Sequence, residues 1–460
     1  MLSKTGAVTT YVCAALFLSS CADGGGRSIA SGDRNFVVAT TPTTQASSGS
    51  AVPSEAAPPA FTGAITLREV LARVLTENRD LAAFSYDKRL AEARTLQASL
   101  LPNPEVSADI EDFGGTGSRR GLSTAQTTLS LSQQVELGSK RAKRVQLARF
   151  DEALAGWDYE GKRLDVMVDT MRAFVGVLAA QAKLELAEQN LKIERDFFRV
   201  VSERVNAGRV SPLDQERAQA SLSTSQIAVD KARRELGVSR QKLSSFWGDT
   251  SPQFRQADGD FETLDTPLPL QALLDRLKAN PDLARWADEI EQRRAKLGVE
   301  KSRNMPDVKV SLGVRRYNDE RSHAMVAGFS IPIPIFGINP GGVQEAQASL
   351  NKSYEERRAT EVRVTSTLGQ AHQQLVGAYE EVNALRRDAR PAAERAFSGA
   401  EAGYRGGKFS LLEVLDAHRT LMEVRAREIE ALATYHTIRA DVDRLVEQSV
   451  ARPVSSSVSQ

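Results

Sequence analysis

The chain writes one helix-turn-helix signature twice, as VNAGRVSPLDQERA from Val205 and as YRGGKFSLLEVLDA from Tyr404. In each, a glycine able to end a helix (Gly208, Gly407) is followed by a serine suited to begin the next one (Ser211, Ser410). Earlier segments pair off in the same order. TLREVLARVLTENRDLAAF from Thr66 faces PLQALLDRLKANPDLARW from Pro269, LPNPEVSADI from Leu101 faces NMPDVKVSLG from Asn304, and VELGSKRAKRVQLA from Val135 faces PIFGINPGGVQEAQA from Pro334. A unit of roughly 180 residues is too long for a solenoid repeat, so the expectation is a two-fold duplication. The two copies fall at residues 64–262 and 263–448, each with a helix, two strands and a long helical hairpin.

The 460 residues carry a formal net charge of +1, with Lys and Arg spread through the helical stretches, so no nucleic acid partner is indicated. Residues 1–21 read as a lipoprotein signal. Lys4 precedes an apolar run through Val12, Ala14, Ala15, Leu16, Phe17 and Leu18, ending in Ser19-Ser20-Cys21. Cys21 is then the lipidated first residue of the mature chain. The other of the 2 cysteines, Cys13, leaves with the signal, which excludes disulfides, thiolate metal sites and cysteine catalysis. Residues 22–63 form a flexible linker rich in Gly, Ser and Pro, and residues 449–460 a disordered tail.

A single acyl-bearing group holds a chain only marginally, so a second membrane element is sought. No apolar run of 18 or more residues follows the signal. Four segments alternate instead. Val106, Ala108 and Ile110 stand against Ser107, Asp109 and Glu111, and Leu129, Leu131 and Val135 against Ser130, Ser132 and Gln134. In the second copy Val308, Val310, Leu312 and Val314 alternate with Lys309, Ser311, Gly313 and Arg315, followed by Met325, Ala327, Phe329, Ile331 and Ile333. This pattern fits membrane strands, with Leu129 toward lipid and Ser130 toward the lumen, and fits a soluble sheet equally well. Four strands cannot close a barrel, and an open edge is not tolerated in hydrocarbon, so several chains would have to contribute.

Between Ser139 and Val205 no proline occurs, and Leu164, Val168, Met171, Val175, Leu178 and Ala182 follow a coiled-coil seam. At the tips, Asp214 and Glu413 stand where a capping box places its acid. Asp416 lies one turn beyond Glu413, outside that arrangement.

These residues together resemble the TolC-type outer-membrane efflux factor family, specifically its heavy-metal (CzcC/CusC-like) subgroup. The likeness runs from Thr66 to Arg444 and rests on LPNPE from Leu101, LSLSQQVELGSKRAKR from Leu129, IPIPIFGINPGGVQEA from Ile331 and the two tips. It implies an α+β membrane protein, a homotrimer whose chains give four strands each to a twelve-stranded β-barrel continued by a long α-helical barrel in the periplasm. Its implied partners are a periplasmic membrane-fusion adaptor, an inner-membrane resistance-nodulation-division pump and outer-membrane lipid. Carried over by motif, Val205, Gly208, Ser211, Leu213, Gly407, Ser410 and Leu412 face the adaptor. Glu413 and Asp416 narrow the periplasmic gate, with Asp214 and Arg217 at the first tip. Threefold symmetry would gather these acids into a ring that favours cations and raises its own pKa values. Departures from the subgroup are Glu413 in place of aspartate, Ser139 in place of a second glycine, and Gly337-Ile338 in place of a charged pair.

No catalytic motif of the hydrolase, Walker or zincin kind occurs, so neither an enzyme nor a cofactor is expected. His418 and Met422, one turn apart, read as a satisfied or solvated helix face and not as a metal site. Two other readings stay open: a duct of the same fold for organic compounds or type I protein secretion, and a periplasmic coiled-coil lipoprotein without a channel.

Overall fold

The computed structural model describes residues 62–278, 280–333 and 335–446. Its elements run β1 (Gly63–Thr66), α1 (Leu67–Glu77), α2 (Arg79–Ser99), β2 (Glu105–Glu111), β3 (Gln126–Val135), α3 (Lys140–Asn206), α4 (Pro212–Ser245) and β4 (Phe254–Asp258). Then come α5 (Leu270–Leu277), α6 (Pro281–Ala284), α7 (Trp286–Ser302), β5 (Val308–Tyr317), β6 (Ser322–Ser330), α8 (Pro340–Ala384), a π-turn at Leu385–Ala389, α9 (Arg390–Arg405) and α10 (Leu411–Val446). No helix among the described residues is long and apolar enough to cross a membrane. The expected signal with Cys21, most of the linker and the tail lie outside the described residues.

The entry helix expected from Thr66 is two helices, not one. Asn78 breaks it: its side chain accepts from Leu81 N at 2.9 Å to cap α2, and its Nδ2 donates to Phe246 O, just past α4, at 2.7 Å. Asn280 does the same in the second half, capping α6 through Asp282 N at 2.7 Å and donating to Leu445 O at 2.9 Å. Helical periodicity continues across both asparagines, so the break is invisible to spacing. What sets it is a cap whose second bond is satisfied by a distant chain end.

Two strands beyond the expected four also appear. β1 pairs in parallel with β4, placing Ile65 opposite Ala257, both buried. Gln181 of α3 finishes this small sheet by donating to Ala257 O at 3.0 Å and accepting from Ala257 N at 2.7 Å. These strands are too short to show alternation, which is why the sequence gives no sign of them.

α3 is 67 residues without interruption, about 100 Å at 1.5 Å per residue, and packs against α1, α2, α4, α7 and α10. The expected seam holds only in part. Leu164, Val168 and Leu178 are buried, but so are Ala173, Phe174, Val177, Ala179 and Ala180, because α1, β1, β4 and the loop at Phe261 wrap this level of the helix. Each large apolar side chain buried here contributes about 1.5–3 kcal/mol, which makes the mid-helix collar the main core. Lower on the same helix the buried Trp157 donates to Asp288 of α7 at 2.7 Å, joining the two halves.

The other four strands form one antiparallel sheet in the order β2-β3-β5-β6. Register puts Val106 beside Leu131, Leu131 beside Leu312, Leu129 beside Val314 and Val310 beside Phe329, so the apolar residues of all four strands share one face. That face is bare: Phe329 is 80%, Met325 72% and Val106 72% exposed. The opposite face is polar and internally bonded, with Ser107 against Ser130 at 2.7 Å, Lys309 to Glu105 at 2.6 Å, and Arg315 to Thr128 at 2.8 Å and Glu111 at 3.3 Å. Gly313 belongs here by necessity, since a Cβ would meet Leu129 O and Ser130. β6 stops at Ser330, short of the expected alternation through Ile333, because Pro332 has no N–H for a ladder bond.

Candidate functional site

The two helix-turn-helix tips are built alike at their glycines. In the first, Gly208 takes φ +69°, Gly208 N donates to Val205 O at 2.9 Å and Arg209 N to Arg204 O at 2.9 Å. In the second, Gly407 takes φ +74°, with Gly407 N to Tyr404 O at 3.0 Å and Lys408 N to Gly403 O at 2.8 Å. Both are Schellman endings, and the left-handed position favours glycine because a Cβ there crowds the backbone.

The caps that follow differ. Ser410 and Glu413 form a complete capping box: Glu413 accepts from Ser410 N at 2.6 Å and from Ser410 Oγ at 3.0 Å, while Glu413 N donates to Ser410 Oγ at 3.4 Å. These bonds, the backbone one first, hold the Glu413 carboxyl below the usual range. The expected upward shift belongs to carboxylates gathered from several copies; in the single chain the ionised form of Glu413 is tied to an amide. Ser211 makes only a single cap, accepting from Leu213 N at 3.2 Å, and the expected box partner Asp214 instead pairs with Arg217 at 3.5 Å. Pro212 fills the next position, where a missing N–H is harmless.

Glu413 and Asp416 share an exposed stretch of α10, and Leu213 and Leu412 are exposed apolar residues, one at each tip. Val205 is half-buried against the small core formed by Phe197, Val201, Ala218, Ala400, Tyr404, Leu411 and Val414. That core draws from both hairpins. The residues that fasten them are not marked by turn or cap chemistry in the sequence. Arg204, in the last turn of α3, donates to Tyr404 O at 3.0 Å and Arg405 O at 2.9 Å, carbonyls at the end of α9, and lies 4.5 Å from the Tyr404 ring centroid.

Farther from the tip, Glu194 of α3 meets His418 Nδ1 of α10 at 3.0 Å, both buried. His418 is therefore a paired interior residue, as a satisfied helix face would have it. A signal for both was available: Glu194 stands between Leu191 and Phe197, and His418 between Val414 and Leu421, at positions where apolar spacing calls for a hydrophobe. Among the described residues no three His, Cys, Asp or Glu side chains are grouped to hold a metal ion.

Similarity to known proteins follows the same outline. The family described as outer membrane efflux protein matches residues 70–249 and again 273–446. The cobalt-zinc-cadmium resistance protein CzcC of Cupriavidus metallidurans is 32% identical over 84% of this chain and 90% of its own length. The nickel-cobalt-cadmium resistance protein NccC of Alcaligenes xylosoxydans is 27% identical over 56% of this chain and 58% of its own length. Among solved structures, CusC superposes with a TM-score of 0.70 at 17% identity, covering 83% of this chain and 92% of that one. The CmeC channel of Campylobacter jejuni gives 0.69 at 16% identity, covering 83% and 85%. At those identities the structural likeness is one of fold. With bare sheet, long hairpins and doubled family match in agreement, the chain belongs to the outer membrane efflux protein family.

Proposed function

We propose that this chain is the outer-membrane duct of a tripartite resistance-nodulation-division efflux system carrying heavy-metal cations. The observation that carries the reading is the sheet, with one apolar exposed face, one polar bonded face and two unpaired edge strands, β2 and β6. Such a sheet is stable in hydrocarbon only when its edges are closed. Three copies close it as a twelve-stranded barrel, lipid outside and water inside, and the helical hairpins continue it as a tunnel in the periplasm. Exposed apolar residues on the outer faces of the helices, Ile227 and Val238 on α4 and Val362 on α8, then become contacts between copies. Cys21 adds the lipid anchor. The family match in two blocks supports an origin by duplication.

At the far end, Val205, Gly208, Ser211, Leu213, Gly407, Ser410 and Leu412 dock the periplasmic adaptor, which links the duct to its inner-membrane pump. Glu413 and Asp416, with Asp214 and Arg217, narrow the opening and select for cations. No step here calls for a cofactor. Metal as cargo is favoured by the resistance proteins whose names record cobalt, zinc, cadmium and nickel.

Planar-bilayer conductance of the purified protein, with its mass by light scattering, tests the duct. A trimer with small cation-selective currents is expected, and a monomer or dimer without current overturns the reading in favour of a structural lipoprotein. Arg217→Glu and Asp416→Ala each raise single-channel conductance if the gate is assigned correctly; unchanged conductance in both removes it. For cargo, a deletion strain gains sensitivity to cobalt, zinc or cadmium. Sensitivity to organic solvents alone would favour a duct for organic compounds.

A further inference from the structure

Above the tips, the Glu194–His418 contact joins two helices that belong to different hairpins. Glu194 is 4% and His418 3% exposed, and their remaining polar atoms, Glu194 Oε2 and His418 Nε2, make no hydrogen bond. Phe397 of α9 lies 5.0 Å from the imidazole and Phe197 of α3 6.5 Å, centroid to centroid. A lone carboxylate in such surroundings is costly unless a cation answers it.

We propose that this pair is a proton-operated latch between the two hairpins of one chain, tight when His418 carries a second proton and loose when it does not. With the ring neutral, Nδ1–H donates one bond to Glu194 Oε1. A proton arriving at Nε2 turns the ring into a cation 3.0 Å from the carboxylate oxygen, in a region of low dielectric. The same cation gains the face of Phe397, within the roughly 6 Å over which ring and cation attract.

Of the other charged groups near this level, Lys192 of α3 and Asp416 of α10 are exposed, and those that face the neighbouring helices are bonded there. On α3 itself, Arg195 is bonded to Gln226 of α4 at 3.2 Å. From α9, Glu394 is bound by Arg425 of α10 at 3.1 Å and by Arg390 at 3.1 Å. From α4, Arg217 faces Asp214. Glu194 is thus the charge that responds to His418.

Opening the tip by sliding α10 past α3 breaks this contact. The Arg204 clamp lies about 15 Å nearer the tip along α3 and supplies a fixed anchor there. Histidine changes charge between about pH 5 and 8. The proton favours the latched state, so the latch is complete at the acid side of that window and weakens as pH rises through it.

The latch rests on reading the tips as the movable end, and its test needs no current. Nitroxides at Arg209→Cys and Lys408→Cys, both exposed, report the distance between the tips by pulsed electron paramagnetic resonance in detergent. Full-length labelled chain is assembled with excess unlabelled chain so that each distance lies within one copy. From about pH 5.5 to about pH 8 the separated population rises roughly tenfold. His418→Gln and Glu194→Gln, which keep a polar contact but lose the titration, abolish the response. A distance distribution that is the same at both pH values in the otherwise native chain overturns the latch, and so does a response that persists in His418→Gln. A pH-dependent distance in protein that conducts no current would support the latch and remove the channel.

Discussion

The two hairpins end in the same Schellman turn and reach it by different routes. The first arrives on an unbroken helix, while the second is interrupted at Leu385–Ala389, where the backbone widens into a π-turn ahead of Pro391. A proline inside a helix loses one bond and clashes with the carbonyl four residues back, and a π-turn absorbs both faults. Arg386 of that turn binds Glu428 at 2.8 Å and Arg390 binds it at 3.5 Å, so the irregular segment is braced against α10. The caps diverge in the opposite sense, with one bond at Ser211 and a reciprocal box at Ser410. The first hairpin is a straight strut with a light cap, and the second a jointed arm with a firm one. The doubled sequence therefore does not mean doubled mechanics.

The sharpest way to break this contrast is to move the proline. Lys192→Pro places one in α3 at the level of Pro391, where no π-turn waits, and costs about 3 kcal/mol or more, while Pro391→Ala is nearly neutral. Thermal unfolding followed by circular dichroism would separate the two, and equal losses would show that α3 tolerates a joint as well.

Next comes the fastening between tips. Arg204→Ala gives up two charge-assisted bonds to carbonyls, about 2 kcal/mol, whereas Arg405→Ala loses only an exposed pair with Glu401 and less than about 0.5 kcal/mol. Hydrogen exchange at residues 400–412 reads the difference, with protection falling in the first variant alone.

Smaller still, Ser410→Ala costs about 1 kcal/mol and Ser211→Ala about half of that. The measure is exchange at the first amides of α10 and α4, and a larger loss at Ser211 would reverse the ranking of the caps. The smallest effect is one of pH. The folded pKa of Glu413 is depressed, so its contribution is present above the ordinary glutamate range near about 4.3 and is lost as pH falls through the lower folded value. Fraying of α10 below about pH 4, absent in Glu413→Gln, is the expected trace, and α4 should lack a matching transition.

What the sequence disclosed follows from how local each cause is. Gly208, Gly407 and their serines were legible because turn and cap chemistry acts within a few residues. The four long strands were legible because register in a sheet with one bare face keeps apolar residues in strict alternation. Asn78 and Asn280 were not, since the periodic pattern runs through them and their deciding partners, Phe246 O and Leu445 O, lie far along the chain. Gln181 standing in as a strand neighbour for Ala257 left no trace for the same reason. Ser139 was marked only as a departure from the subgroup; its φ of +57° supplies the physical ground, a left-handed residue where glycine is the easier choice. The spacing of Asp214 from Ser211 fits a capping box, yet its carboxylate faces Arg217 while Ser211 is bonded to Leu213.

The two asparagine ties also bear on how the molecule is made. Asn78 meets Phe246 across 168 positions and Asn280 meets Leu445 across 165, so each half fastens its own beginning to its own end. A chain that is exported from its N-terminus can shut the earlier half as soon as Phe246 is across, while the later half has still to arrive. Its shared contacts, Trp157 with Asp288 and Glu194 with His418, must wait. Export then delivers one hairpin that serves as the template on which the second is laid, and a halt in translocation after about residue 250 would catch a folded half that is exposed along one side.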